Sequence, residues 1–158
     1  MHHDKILVPY DGSESAKNAV KYAVRILEDA PEAKIILFTS LAGARDVERL
    51  MGTGLQGTGF IDPNTRDYYE KLRNKTYNKA IEKMKDAIKE LAPEVAANFE
   101  YVAEFSPSPV KNILEVADKF GVDSIYMGCR GASAIAGVLG SVSFGVIRSA
   151  NVPVTVVK

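Results

Sequence analysis

Five short apolar runs alternate with amphipathic helical stretches along this chain, and that order leaves few folds open to it. Asp4 to Pro9, centred on Ile6-Leu7-Val8, and Lys34 to Leu41, centred on Ile35-Ile36-Leu37-Phe38, are apolar at successive positions. Strands covered on both faces read this way, as in a parallel sheet between helices. Asn98 to Glu104 alternates, and Asp123 to Met127 and Val154 to Val157, the latter after Pro153, supply two more strands. A helix is expected after the Asp11-Gly12 turn, capped by Ser13 or Ser15, with Ala16, Ala19, Val20, Ala23 and Leu27 on one face. Arg66 to Leu91 carries a second stripe through Tyr77, Ala80, Ile81, Met84, Ala87, Ile88 and Leu91. Ser106-Pro107-Ser108-Pro109 opens a third helix with Val110, Ile113, Leu114, Ala117 and Phe120 buried and Gly121 as left-handed cap, and a fourth begins near Ser141. The expected fold is one α/β domain: an open, five-stranded parallel sheet with right-handed crossovers, helices on both faces, and ligands at the carboxyl ends of the strands.

Bulk properties narrow the function classes. The chain has 158 residues, 46% hydrophobic and 25% charged, which is ordinary for one soluble domain, and no apolar run approaches the roughly 18 residues of a membrane span. Twenty basic and twenty acidic residues give a formal charge of +0, so neither nucleic acid nor an anionic membrane is an expected partner, and any anion site must be local. The start is too short in apolar residues for a signal peptide, and a lone Cys129 fits a reducing compartment; both point to a cytoplasmic protein. His2 and His3 at the terminus leave Ser-His and Cys-His catalysis without a base.

Between Gly43 and Thr65 the pattern is lost, and a flexible insertion loop is expected, with a short helical turn near Asp46 to Met51. Its Gly52-Thr53-Gly54-Leu55-Gln56-Gly57 string spells a dinucleotide fingerprint but lacks the strand before it and the helix after it. It is read as loop, with a lid over the ligand as the functional alternative. Tyr68, Tyr69, Tyr77 and Tyr101 are read as packing residues and Cys129 as a small side chain that fits.

Chemistry concentrates in Gly128-Cys129-Arg130-Gly131, eight further residues, and Gly140-Ser141-Val142-Ser143 at a helix start. Glycines admit a phosphate close to the backbone, the first N–H groups of a helix point at it with the positive dipole end behind them, and serine hydroxyls add donors. Asp11 lies at the end of a neighbouring strand.

This turn, the opening Ile6-Leu7-Val8-Pro9-Tyr10-Asp11-Gly12-Ser13, the Ile113-Leu114-Glu115-Val116-Ala117 helix, the strand end Ile125-Tyr126-Met127-Gly128 and the closing Pro153-Val154-Thr155-Val156-Val157 together resemble the universal stress protein (UspA-like) family. The resemblance spans nearly the whole chain, 1–158, as one such domain. It implies a Rossmann-like fold of the adenine-nucleotide alpha-hydrolase type with strand order 3-2-1-4-5, a homodimer paired through the last strand, Val154 to Val157, and binding of ATP. By matching position, Asp11 would meet the ribose, the backbone near Thr39 would hold the adenine, and Pro9 would line the base pocket. Gly128, Arg130, Gly131, Gly140, Ser141, Val142 and Ser143 would surround ribose and phosphates. The sequence departs from the family in one place: eight residues, Ala132 to Leu139, stand where the family pattern has nine, and none is basic, which leaves Arg130 as the motif's one cation.

The function expected is that of an ATP-binding stress-response or signalling module in the cytoplasm, at most a weak ATPase, with an unidentified protein partner. Mg²⁺ or Mn²⁺ would ride on the nucleotide phosphates. Two alternatives stay open: a nucleotide-free dimeric scaffold of the same family, and an ATP-using transferase. The second lacks a Ser-Gly-Gly-x-Asp-Ser loop, a nucleotidyl-transfer histidine pair and a Walker lysine.

Overall fold

The computed structural model describes residues 5–42, 63–131 and 138–158, and at Pro63 and Thr65 the backbone only. The expected Asp46 to Met51 turn, the glycine string at Gly52 to Gly57, His2 and His3, and Ala132 to Gly137 lie outside the described residues.

Strands β1 (Lys5–Pro9), β2 (Lys34–Leu41), β3 (Phe99–Phe105), β4 (Ser124–Gly128) and β5 (Val154–Val157) form one sheet in the order β3-β2-β1-β4-β5. Every pairing is parallel. The five expected strands are therefore all present, each within a residue of its sequence boundary. Period-two alternation sorts the side chains: Ile6, Val8, Ile35, Leu37 and Tyr126 face one side, and Leu7, Ile36, Phe38, Ile125 and Met127 the other. Helices α1 (Glu14–Val24), α2 (Ile26–Asp29) and α3 (Pro63–Leu91) serve the first face through Ala19, Val20, Ala23, Leu27, Met84 and Ile88. Helices α4 (Pro109–Phe120) and α5 (Ser141–Ser149) cover the second through Ile113, Val116, Ala117 and Val146. Among the described residues no helix is long and apolar enough to cross a membrane.

Local chemistry accounts for the helix ends. Ser13 accepts from the Ala16 N–H and starts α1, and Ser108 accepts from the Lys111 N–H, with Pro109 next, to start α4. Gly121 ends α4 at φ +59°, and the Val122 N–H reaches back to the Ala117 carbonyl at 3.1 Å. Two boundaries differ from expectation. The first helix breaks at Arg25, where tighter bonds run from Arg25 N to Tyr22 O and from Glu28 N to Arg25 O, while Leu27 stays buried. The long helix starts at Pro63, not Arg66, because a proline suits a helix's first turn. A 3₁₀ segment, Pro93–Asn98, leads into β3 and has no counterpart in the sequence reading.

Helices α4 and α5 are in close contact at Gly145, where a Cβ would fall 2.8 Å from Val110 Cγ2 and 3.5 Å from Val110 Cβ. Valine is stiff at χ1 and cannot swing away. In the wild type, then, Gly145→Ala should lower stability by about 1–2 kcal/mol, overpacking outweighing the gain in helix propensity. In a Val110→Ala background the same substitution should raise stability. Denaturant titration of the four proteins tests this, and a loss of equal size in both backgrounds would contradict the packing account.

Candidate functional site

At the carboxyl end of the sheet, around the ends of β1, β2 and β4, lies a cavity of about 490 Å³. All ten residues singled out in the sequence line it: Pro9, Asp11, Thr39, Gly128, Arg130, Gly131, Gly140, Ser141, Val142 and Ser143. The sheet order reverses between β1 and β4 here, which is where open α/β sheets leave a crevice.

The cavity's inner part is apolar, walled by Pro9, Phe38, Ile113 and Met127. Its floor at β2 follows from strand alternation. The Phe38 carbonyl accepts from Tyr10 N at 2.7 Å, on the β1 side, and the Leu41 carbonyl accepts from Ser106 N at 3.1 Å, on the β3 side. Backbone groups of successive residues point to opposite sides, so the Ser40 N–H and C=O face the space that β1 vacates after Pro9. The Thr39 groups face β3, and the Thr39 hydroxyl donates to Tyr10 O at 2.8 Å. Burial pushes the Tyr10 phenol up from its ordinary range; Lys17 opposes, while Asp11, Glu90 and Glu14 add to the rise. The phenol is therefore a neutral hydrogen-bonding group at physiological pH.

The outer part is built for an anion. Helix α5 has Gly140 as its N-cap, with no side-chain cap. Phe144 N is the first to bond inward, to Gly140 O, which leaves the N–H groups of Ser141, Val142 and Ser143 at the positive end of the helix dipole, lining the cavity. The sequence suggests a helix beginning near Ser141 whose serine hydroxyls are donors. Its cap is a glycine, and the buried Ser143 hydroxyl donates to Gly128 O at 2.9 Å, so Ser143 presents its backbone to the cavity. Arg130 is half-buried, its Nε 3.5 Å from Cys129 Sγ, and no ion pair engages it among the described residues.

Asp11 stands between the two parts. Its Oδ1 accepts from Ser13 N at 2.9 Å, and its Oδ2 would lie 3.1 Å from a Cβ placed on Gly131. One carboxylate oxygen is thus fixed, and the other is held at the glycine turn as a ready acceptor for a hydroxyl. Gly128 has a packing role instead: a Cβ there would sit 2.5 Å from Ser15 Oγ and 2.8 Å from Ala16 N. Sequence reasoning missed the residues that hold the turn in place. Ser15 Oγ donates to Arg130 O at 2.6 Å and Ser13 Oγ approaches the same carbonyl at 3.3 Å, which ties the turn to the start of α1. The two serines beside Asp11-Gly12 were legible only as alternative caps.

The family model described as "Universal stress protein family" matches residues 2–158. Universal stress protein MJ0577 of Methanocaldococcus jannaschii is 31% identical over 157 residues, 99% of this chain and 95% of that protein. A solved structure of MJ0577 superposes with a TM-score of 0.72 at 28% identity, covering 100% of this chain and 97% of that one. A universal stress protein solved in complex with cAMP gives 0.59 at 23% identity, covering 99% and 98%. The universal stress protein from Archaeoglobus fulgidus in complex with dAMP gives 0.58 at 20% identity, covering 100% of both chains. By its sequence over its full length, and by a sheet of order 3-2-1-4-5 with the glycine turn at its switch point, the chain belongs to the universal stress protein family.

Proposed function

We propose that this cavity binds an adenine nucleotide, ATP in the first place, and that the protein works as a binding and signalling module of the stress response. The observation that carries this is the division of one cavity into an apolar slot under Ser40 backbone groups, a carboxylate at Asp11, and helix N–H groups beside Arg130 that have no partner among the described residues. Base, sugar and phosphate need those three environments in that order. About 490 Å³ lies within the range of small-molecule sites. The fold neighbours in complex with cAMP and dAMP support the adenine class.

Slow or absent hydrolysis fits the lining. Asp11 is its one carboxylate among the described residues; Ser13 N holds one of its oxygens, and the other is the acceptor this reading gives to a sugar hydroxyl. Mg²⁺ or Mn²⁺ would be held chiefly by phosphate oxygens, since no three His, Cys, Asp or Glu cluster among the described residues.

The homodimer belongs to the same proposal. Cys129 N bonds Val157 O and Ile125 N bonds Pro153 O, so the odd-numbered residues of β5 face β4. By alternation the backbone groups of Val154 and Val156 point outward from an edge strand of four half-buried residues. Phe144 and Ile147 of α5, a helix in contact with β5, are exposed. An apolar open edge of this kind fits a second copy of the chain.

Two outcomes test the proposal. A Cβ at Gly140 would meet Arg130 Cα and Cys129 O at 3.4 Å, ordinary contact, so Gly140→Val should fold normally while its methyls obstruct the phosphate end. Calorimetry should then show ATP affinity reduced by at least about tenfold, or roughly 1.4 kcal/mol; unaltered affinity would remove the site from this turn. Val156→Pro deletes an outward N–H without touching the β4 ladder, and sedimentation should show the dimer weakened by about tenfold or more. A monomeric wild type would overturn the assembly part.

A further inference from the structure

Asn112 of α4 is a polar side chain buried to 2% exposure, and its surroundings fix its orientation. Its Nδ2 lies 3.0 Å from the Glu104 carbonyl, which can only accept, so the atom there is the amide nitrogen. The second N–H of the same nitrogen points at Ser40 Oγ, 2.8 Å away. Asn112 therefore donates to Ser40, and the Ser40 hydroxyl is an acceptor in that bond. Its own proton is directed elsewhere, and among the described residues no hydrogen bond from it to another group is present. Ser40 lines the cavity at the apolar slot, beside Pro109 and Ile113.

We infer that Ser40 is a specificity-determining residue, and that Asn112 is the positioning residue that turns its hydroxyl into a donor for a ring nitrogen of the bound base. The inference rests on the adenine-nucleotide reading of the cavity and names how the base is recognised within it. The slot's walls at Pro9, Phe38, Ile113 and Met127 carry no side-chain donor, and the Ser40 hydroxyl, with Asn112 occupying its acceptor side, is a side-chain donor available to a ring acceptor there. An amide with both hydrogens committed cannot reverse roles with it. A hydroxyl so held is preorganised, and a base without an acceptor at that point leaves it unpaired, which is where polar sites gain discrimination.

The experiment compares wild type, Ser40→Ala and Ser40→Thr for binding of ATP and of its 1-deaza, 3-deaza and 7-deaza analogues by calorimetry. Ser40→Ala should weaken ATP by about five- to tenfold, the worth of one neutral hydrogen bond. With one of the three analogues the wild type should already be weakened by a like factor, and Ser40→Ala should add nothing further. Ser40→Thr, which keeps the hydroxyl in a strand position that suits a β-branched residue, should restore both the affinity and the discrimination. If Ser40→Ala leaves ATP binding unchanged, or weakens ATP and all three analogues alike, the hydroxyl does not read the base. A wild type that binds none of the four nucleotides would instead overturn the adenine-nucleotide reading itself.

Discussion

The carboxyl end of the sheet is organised by where β1 stops. Tyr10 N bonds Phe38 O, so alternation turns Pro9 toward β4, and proline has no N–H to give. Pairing of β1 with β4 accordingly extends only to Leu7 and Ile125, although β4 continues to Gly128 against β5 and β2 continues to Leu41 against β3. A gap opens at the one place where both neighbours of a strand outrun it. The Ser40 backbone groups face that gap from one side, and the Gly128 turn crosses it from the other. Asp11 and Gly12, at φ +81°, carry the chain out of the gap and into α1.

Charge in this molecule is arranged locally. With a formal net charge of +0 there is no long-range field to gather anions, and the ion pairs of α3, Arg66–Glu70, Lys71–Asp67, Lys85–Glu82 and Lys89–Asp86, lie on exposed faces where each contributes little. The local concentration of positive charge is the start of α5, whose first N–H groups, without a partner among the described residues, amount to roughly half a positive charge, with Arg130 close by. A glycine cap matters for this reason. Serine or aspartate at position 140 would satisfy those donors internally and compete with a ligand for them.

The fold was legible because it is a repeated burial pattern. Ile35 to Phe38 reads as a strand with helices on both faces, and those residues divide between the two cores. The lining of the cavity was legible in the sequence, and what each residue does there less so. Gly128, Gly140 and Gly145 are the same letter, yet Gly128 admits α1, Gly145 admits Val110, and only Gly140 has room for a Cβ and leaves helix donors uncapped. Spacing cannot separate these cases, because each is decided by an element distant in sequence. Ser143 is the parallel case among donors: its hydroxyl is consumed by a carbonyl fifteen residues earlier, a contact with no local signature. Asn112 and Ser40 are 72 residues apart and meet only when α4 packs over the end of β2.

Turn and edge strand are parts of one hydrogen-bonded unit. Gly128 ends β4, the next residue's N–H bonds Val157 O at 2.7 Å, and Asn18 of α1 donates to Lys158 O at 2.9 Å. Meanwhile Ser15, on the same helix as Asn18, holds Arg130 O. Helix α1 thus braces the glycine turn at its first turn and the end of β5 one turn later, with Gly128 packed so closely against it that a Cβ would not fit. Close-packed interiors transmit displacement rather than absorb it. The cavity and the open edge of the sheet are therefore joined through one helix: α1 bonds both to the turn that lines the cavity and to the end of β5.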